Sequence, residues 1–388
     1  MRPSVFIAPA VATLVGFAGT LVLVIAAANA VGASPAQTSS WVASLCIATA
    51  LASLTLSWRL RMPIICAWST PGAALIAASH GITMEAAVGA FMLTGLLIVL
   101  TGAVKPIGNL IARIPTSVAS AMLAGILVKF VLAIFEQAQA VPALVFPLLA
   151  VFLIVRLISP IWAVLSVLAA GLILSGLLGM NGAWPDGLAI APWVFVAPRF
   201  EPTVLIGLGL PLYLVTMASQ NLPGLAVLKA DGYDAPARPI FILTGLLSAA
   251  SALACAHTSN LAAISAAITT GPDTHPDKAE RWKAGMVYGC LWVAIGLLGA
   301  SSVALFASMP AALVATVAGV ALIGSLTGSL SFALAHDKDR FAALMTFVVT
   351  ASGLSLFGIG AAFWGLAAGL IVLALDRFAA RMRHGGAR

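Results

Sequence analysis

Two polar stretches interrupt an otherwise apolar chain, and their residue types define the chemistry open to it. Cys66-Ala-Trp-Ser-Thr-Pro-Gly-Ala-Ala-Leu-Ile-Ala-Ala78 aligns without gaps with Cys255-Ala-His-Thr-Ser-Asn-Leu-Ala-Ala-Ile-Ser-Ala-Ala267. Six of these thirteen positions are identical and three more are Ser/Thr or Leu/Ile exchanges. A third polar group, Thr216 with Gln220 and Asn221, precedes Pro223-Gly224. Together they offer hydroxyls, amides and one imidazole, His257, the only histidine within the apolar mass. They offer no carboxylate. Glu85, Glu136, Asp186, Glu201, Asp231, Asp234, Asp273, Asp277, Glu280, Asp337, Asp339 and Asp376 all map to loops or helix ends. Such a set can hydrogen-bond a ligand but supplies neither a nucleophile with its base nor a metal shell. There is no Walker-type loop, HExxH, paired-Asp metal motif or GxSxG in a convincing context, so we expect no cofactor, no metal and no enzyme. His257 either titrates near neutral pH and takes part in proton coupling, or hydrogen-bonds as a neutral residue and holds the local backbone.

The elements that position these residues must be membrane spans. The chain has 388 residues, 62% hydrophobic and only 8% charged, where soluble domains carry about a quarter charged residues. The apolar run from Val5 to Ala28 outlasts the roughly 7–15 apolar residues of a signal peptide, and reads as the first span. The longest polar gaps, about 181–201 and 271–283, are too short to hold a soluble domain. Cys46, Cys66, Cys255 and Cys290 fall in apolar segments without metal-ligand spacing and read as reduced packing residues.

At about 20 apolar residues per span, fourteen segments emerge: 5–29, 40–57, 62–79, 86–104, 116–135, 141–157, 161–179, 203–222, 239–255, 257–270, 284–306, 310–330, 341–357 and 360–377. With both termini cytoplasmic, this count puts seventeen of the nineteen Lys and Arg residues inside and only Lys129 and Arg199 outside. A missed or invented span would swap every later loop, so the asymmetry supports the count. The net charge of +7 thus reflects membrane orientation, and no nucleic-acid partner is expected.

A second match, Ile114-Pro115 leading to Ala124-Gly125 against Met309-Pro310 leading to Ala318-Gly319, falls near the same half-chain offset. Two halves of seven spans each must enter the membrane from opposite sides, which makes an inverted repeat. Spans 3 and 10 are then short and broken. Residues 62–68 approach as extended chain, Ser69 or Thr70 caps a half-helix, and Pro71 suits its first turn. In the second half Thr258, Ser259 or Asn260 is expected to cap a half-helix running to about Thr269. The two N-termini would meet at mid-membrane and present N–H groups and positive dipole ends to a small anion. Phe17, Trp68 and Tyr213 could add an aromatic wall, while Gly95, Gly102, Gly125 and Gly319 permit close helix approach.

Through PIICAWSTPGAALIAA (63–78), ASQNLPGLAVLKADGY (218–233) and AHTSNLAAISAAI (256–268), the chain resembles the benzoate/proton symporter (BenE) family over nearly its whole length. That family resembles the nucleobase transporters and their seven-plus-seven inverted-repeat fold. The resemblance implies an all-α, fourteen-span protein of the bacterial inner membrane with both termini cytoplasmic. Residues 1–104 and 201–306 would form a core domain, and residues 105–200 and 307–388 a gate. It implies uptake of benzoate or a similar aromatic monocarboxylate with a proton, alternating access between core and gate, and homodimerisation through gate spans in the lipid. Substrate would bind Trp68, Ser69, Thr70, Pro71, Gly72, Gln220, Asn221, His257, Thr258, Ser259 and Asn260, with Phe17 and Tyr213. The nucleobase relatives carry acids where this chain has Gln220/Asn221 and Ser259/Asn260. A carboxylate there would repel a carboxylate substrate, so the amides and hydroxyls fit an anion. They leave His257 or the substrate's own carboxyl group to carry the proton. A nucleobase symporter and a small-anion channel of the same fold are the alternatives.

Overall fold

A computed structural model describes residues 3–104, 106, 115–183, 187 and 189–385. Ile114 of the second repeat match lies outside the described residues, as do Arg2, Lys105, Arg113, Asp186 and Arg388 of the charge pattern. Among the described residues, fourteen segments follow one another. The first half holds α1 (Ser4–Ala30), α2 (Pro35–Leu60), strand β1 (Cys66–Trp68) with α3 (Thr70–Ala77), α4 (Met84–Ala103), α5 (Thr116–Ala140), α6 (Pro142–Ile158) and α7 (Pro160–Leu177). The second holds α8 (Pro202–Ala230), α9 (Ala237–Ala252), strand β2 (Ser259–Leu261) with α10 (Ile264–Thr269), α11 (Trp282–Leu297), α12 (Ala311–Ala333), α13 (Arg340–Ser352) and α14 (Ala361–Gly385). After a bend of 61°, α11 resumes as Gly299–Ala307. Eight helices among the described residues are individually long and apolar enough to cross a membrane; the remaining segments are shorter, bent or broken. The fold is an all-α membrane protein of two inverted seven-span repeats.

Local chemistry sets the helix ends. Pro35, Pro142 and Pro160 each begin a helix, where a missing N–H costs nothing. Ser34 and Gln37 form a reciprocal capping box on α2. Helix α8 carries two π turns, Leu205–Gly209 and Met217–Asn221. Each lies just before a proline, Pro211 or Pro223, which has no N–H to offer the carbonyl four residues back, so the hydrogen bonding widens there. The sequence pattern gives no sign of either π turn.

Small residues let the helices approach. A Cβ on Gly95 would stand 2.6 Å from the Ala249 nitrogen of α9, and one on Gly125 would stand 2.8 Å from the Phe347 carbonyl of α13. One on Gly319 would stand 2.7 Å from the Phe130 carbonyl of α5, and one on Gly102 3.0 Å from the Arg238 carbonyl. Through such contacts α4 packs on α9, and α5 on α12 and α13, while α2 packs on α11 and α1 on α3.

The structure shifts the register of the repeat. The sequence aligns Cys66 with Cys255, but the strands begin at Cys66 and Ser259 and the half-helices at Thr70 and Ile264. The cause lies at the end of α9, where Cys255 adopts a left-handed backbone (φ 78°). The chain uses residues 253–258 to leave the helix before it can pair. His257 is therefore not the structural counterpart of Trp68.

Candidate functional site

The two broken spans meet in the middle of the helical mass as an antiparallel two-stranded ladder. Cys66 pairs with Leu261, Ala67 with Asn260 and Trp68 with Ser259. Two flanking bonds extend it: the Ser69 N–H donates to the Thr258 carbonyl at 3.0 Å, and the Ala262 N–H to the Ile65 carbonyl at 2.9 Å. Extended backbone inside a membrane must satisfy its polar groups within the protein. Here the ladder does part of that, and serines from neighbouring helices do more. The Cys66 N–H donates to Ser53 Oγ of α2 at 3.0 Å, and the Ser259 N–H to Ser248 Oγ of α9 at 2.9 Å.

Helix α3 starts as expected. Ser69 is its N-cap and accepts from the Gly72 N–H at 3.1 Å, with Pro71 in the first turn. A Cβ on Gly72 would lie 2.8 Å from Ser69 Oγ and 2.6 Å from Leu212, so only glycine fits this cap. Helix α10 starts differently. Its N-cap is Ala263 and has no side-chain bond, because Ser259 and Asn260 are spent in the strand and Thr258 precedes it. The expected capping of α10 by Thr258, Ser259 or Asn260 is thus corrected.

A polar knot ties α8 to both tips. Thr216 Oγ1 donates to Ser69 Oγ at 3.1 Å and lies 3.1 Å from Thr258 Oγ1. Since the Thr216 proton goes to Ser69, Thr258 must be the donor of the second bond. Asn221, in the π turn, accepts the Leu261 N–H on Oδ1 at 3.0 Å. Asn260 donates to the Leu261 carbonyl at 2.8 Å. Ser259 Oγ and Asn260 Oδ1 are buried without a partner among the described residues. Gln220, next to Asn221 in the chain, is half-buried, as is Thr70 at the tip of α3.

His257 is fully buried between two bonds. Trp41 Nε1–H donates to Nδ1 at 2.9 Å, and Nε2 lies 3.1 Å from the Ser69 carbonyl. An indole N–H only donates and a carbonyl only accepts. Nδ1 is therefore the acceptor and Nε2 carries the proton. The imidazole links α2 to the cap of α3.

Aromatic side chains cover the tips. Phe17 stands edge-on to Trp68 at 6.0 Å and to Trp292 at 6.1 Å, and Trp68 meets Trp292 at 4.8 Å. Trp68 Nε1–H donates to Thr20 at 2.8 Å, whereas Trp292 Nε1 and the Tyr288 hydroxyl are buried without partners among the described residues. Phe17 and Trp68 are thus together, but Tyr213 is elsewhere. Its hydroxyl bonds Thr101 on α4 and its ring packs in the cluster of Ile98, Met217 and Phe241. Sequence reasoning missed Trp41, Trp292, Tyr288, Ser53 and Ser248. Only the serine-rich composition of α2, whose buried residues include Ser39, Ser40, Ser44, Ser53 and Ser57, hinted at a scaffold for broken backbone. Among the described residues, no group of His, Cys, Asp or Glu could hold a metal ion.

Comparison with known proteins gives this geometry its context. Residues 1–375 match the family described as benzoate membrane transport protein, BenE. The chain is 38% identical over 386 residues to the inner membrane protein YdcO of Escherichia coli, covering 98% of each. It is 36% identical over 369 residues to the benzoate membrane transport protein of Acinetobacter baylyi, covering 95% of this chain and 94% of that one. In fold it is similar to the transmembrane domain of the cyanobacterial bicarbonate transporter BicA, with a TM-score of 0.58 at 16% identity over 97% of this chain and 96% of that one. It is also similar to the murine anion transporter Slc26a9 in its inward-facing state, with a TM-score of 0.61 at 12% identity over 98% of this chain and 68% of that one.

Proposed function

The chain belongs to the BenE family of benzoate membrane transport proteins, and we propose that it carries benzoate or a similar aromatic monocarboxylate inward across the bacterial inner membrane together with a proton. The observation that carries this reading is the junction of two oppositely inserted half-helices on a buried ladder, whose side-chain hydrogen bonds among the described residues involve no acidic residue. At that junction the Thr70 N–H and the Ser69 hydroxyl proton have no acceptor among the described residues, and the dipole of α3 favours negative charge. Phe17, Trp68 and Trp292 supply apolar faces and edges against which an aromatic ring would pack.

In this reading α1–α4 and α8–α11 are the core and α5–α7 with α12–α14 the gate, and the core moves against the gate around the bound substrate. Both termini lie in the cytoplasm, and gate spans pair two copies in the lipid. For the proton, the geometry favours the substrate's own carboxyl group. His257 could accept one on Nδ1 only by giving up the Trp41 bond, so its role is to position the α3 cap. Proton-driven uptake that survives, at reduced affinity, in His257→Gln would support this, and coupling lost with substrate binding intact would reverse it.

The decisive test is radiolabelled benzoate binding to the purified protein, with uracil as competitor, followed by flux in proteoliposomes under a pH gradient. Saturable benzoate binding that uracil does not displace, and uptake driven by the gradient, are expected. Displacement by uracil would favour a nucleobase symporter, and unsaturated current without proton coupling a channel.

A further inference from the structure

A cavity lined by polar and apolar groups lies away from the half-helix junction. It is a cleft of about 80 Å³, several times the roughly 10–15 Å³ that one water needs. Its walls come from the end of α3 and the following turn, from α5, from the start of α8, and from the α13–α14 connection. By topology all of these lie on the face opposite the termini, since α3, α5 and α13 end there and α8 begins there. The cleft therefore opens between the elements assigned to core and gate.

Its charge is unusual. Lys129 lines it from within α5, and is one of two basic residues that the span order puts on this side. No side-chain hydrogen bond or ion pair among the described residues engages its ammonium group. Thr350 contributes to the same wall, but its hydroxyl is turned away from the cleft and packs against Gly365 of α14, where a Cβ would collide with Oγ1. Ser79 and Thr203 add hydroxyls, and Gly353 brings its backbone against the lysine: a Cβ there would stand 2.6 Å from Nζ. A structural role for Lys129 exists, since α13 ends at Gly353 and a cation favours a helix C-terminus. That role does not account for the cavity that the ammonium lines on its other side.

We propose that this cleft is an outer anion subsite, in which Lys129, with the Thr203 hydroxyl beside it, receives the carboxylate of an incoming substrate before it reaches the half-helix junction. The proposal rests on the transport reading above. An uncompensated cation in a narrow, low-dielectric cleft concentrates anions from solution and raises their rate of arrival. It suits a singly charged carboxylate better than a neutral aromatic.

The test reads Lys129 directly. The purified full-length protein is treated with an amine-acylating reagent, and modification of Lys129 is followed by peptide mass spectrometry. Benzoate should slow that modification by about threefold or more, both in the native protein and in Asn260→Ala, while benzyl alcohol and sodium chloride at equal ionic strength should not. No protection, equal protection by chloride, or protection that vanishes in Asn260→Ala would overturn the proposal; the last would mean that the lysine only senses the junction. In uptake, Lys129→Gln should raise KM about tenfold and Lys129→Arg should restore most of it. An unchanged KM in Lys129→Gln would also overturn it. Because acylation needs no transport, a protein protected at Lys129 that carries no benzoate refutes the transport reading alone. One that carries benzoate without protection refutes the subsite alone.

Discussion

Replacing Asn221 in two ways separates its structural work from its electrostatic work. Asn221 Oδ1 accepts the Leu261 N–H at 3.0 Å, and both residues are buried. Asn221→Leu keeps the volume but leaves that N–H unsatisfied next to the ladder, at a cost of about 1–3 kcal/mol. Asn221→Asp keeps an acceptor in the same place and adds a negative charge. For an anion about 6 Å away, and an effective dielectric of about 20, the repulsion is about 2.8 kcal/mol, or roughly a hundredfold in affinity. Differential scanning fluorimetry should therefore show Asn221→Leu melting clearly below the native protein and Asn221→Asp closer to it. A scintillation proximity assay with radiolabelled benzoate should show the reverse weighting, with Asn221→Asp losing far more affinity than its melting shift explains. Native-like benzoate binding by Asn221→Asp would refute the argument that this chain uses amides because its ligand is an anion. A native melting temperature for Asn221→Leu would refute the hydrogen bond itself.

Ser69→Ala removes the α3 cap and the acceptor of Thr216, so we expect about 1–2 kcal/mol of lost stability and weaker benzoate binding by equilibrium titration; Ser69→Thr should recover much of both. Gly72→Ala forces a Cβ to within 2.8 Å of Ser69 Oγ and should abolish binding at normal expression, measured as saturable benzoate retention. Arg281 is buried and donates to the carbonyls of Thr270 at 3.1 Å, His275 at 2.6 Å and Pro276 at 3.3 Å. Arg281→Met should cost about 3 kcal/mol or more by orphaning several carbonyls, read as a lower melting temperature and faster hydrogen exchange across residues 264–281. Gly95→Leu should separate α4 from α9 and reduce the yield of folded protein in size-exclusion chromatography.

The spans were legible because hydropathy and the sidedness of Lys and Arg report the same physical fact, the cost of charge in lipid. The cap of α3 was legible because Ser69, Pro71 and Gly72 each impose a local rule that needs no tertiary partner. The start of α10 was not, because Thr258, Ser259 and Asn260 serve equally well as caps or as polar strand residues, and the strand's partner lies nearly two hundred residues away. The same non-locality hid Trp41. Nothing in its helix marks it, and its importance arises only when His257, 216 positions on, folds against it. Tyr213 was offered for the aromatic wall on residue type alone, which cannot tell a ligand-facing ring from one packed between helices, as Tyr213 is against α4.

On the proposed reading, the junction would favour anions through the treatment of both ends of the half-helices. At the far end of α10, Arg281 satisfies the Thr270 carbonyl and offsets the negative end of the helix dipole. At the far end of α3, the cleft that Lys129 lines also takes in Ala78 and Ser79. Each half-helix thus has a cation near its outer terminus and N–H groups at its inner one. If the inner tips had instead been neutralised by acidic side chains, the field at the junction would favour a cation or a neutral ligand. Leaving them bare, with only hydroxyls and amides nearby, keeps the positive potential of the N-termini for whatever binds. Mutating the outer cations and the inner amides should therefore act in the same direction on carboxylate affinity while leaving a neutral analogue such as benzamide little affected. Benzamide binding that tracked benzoate binding across Asn221→Asp and Lys129→Gln would show that shape, and not this field, selects the ligand.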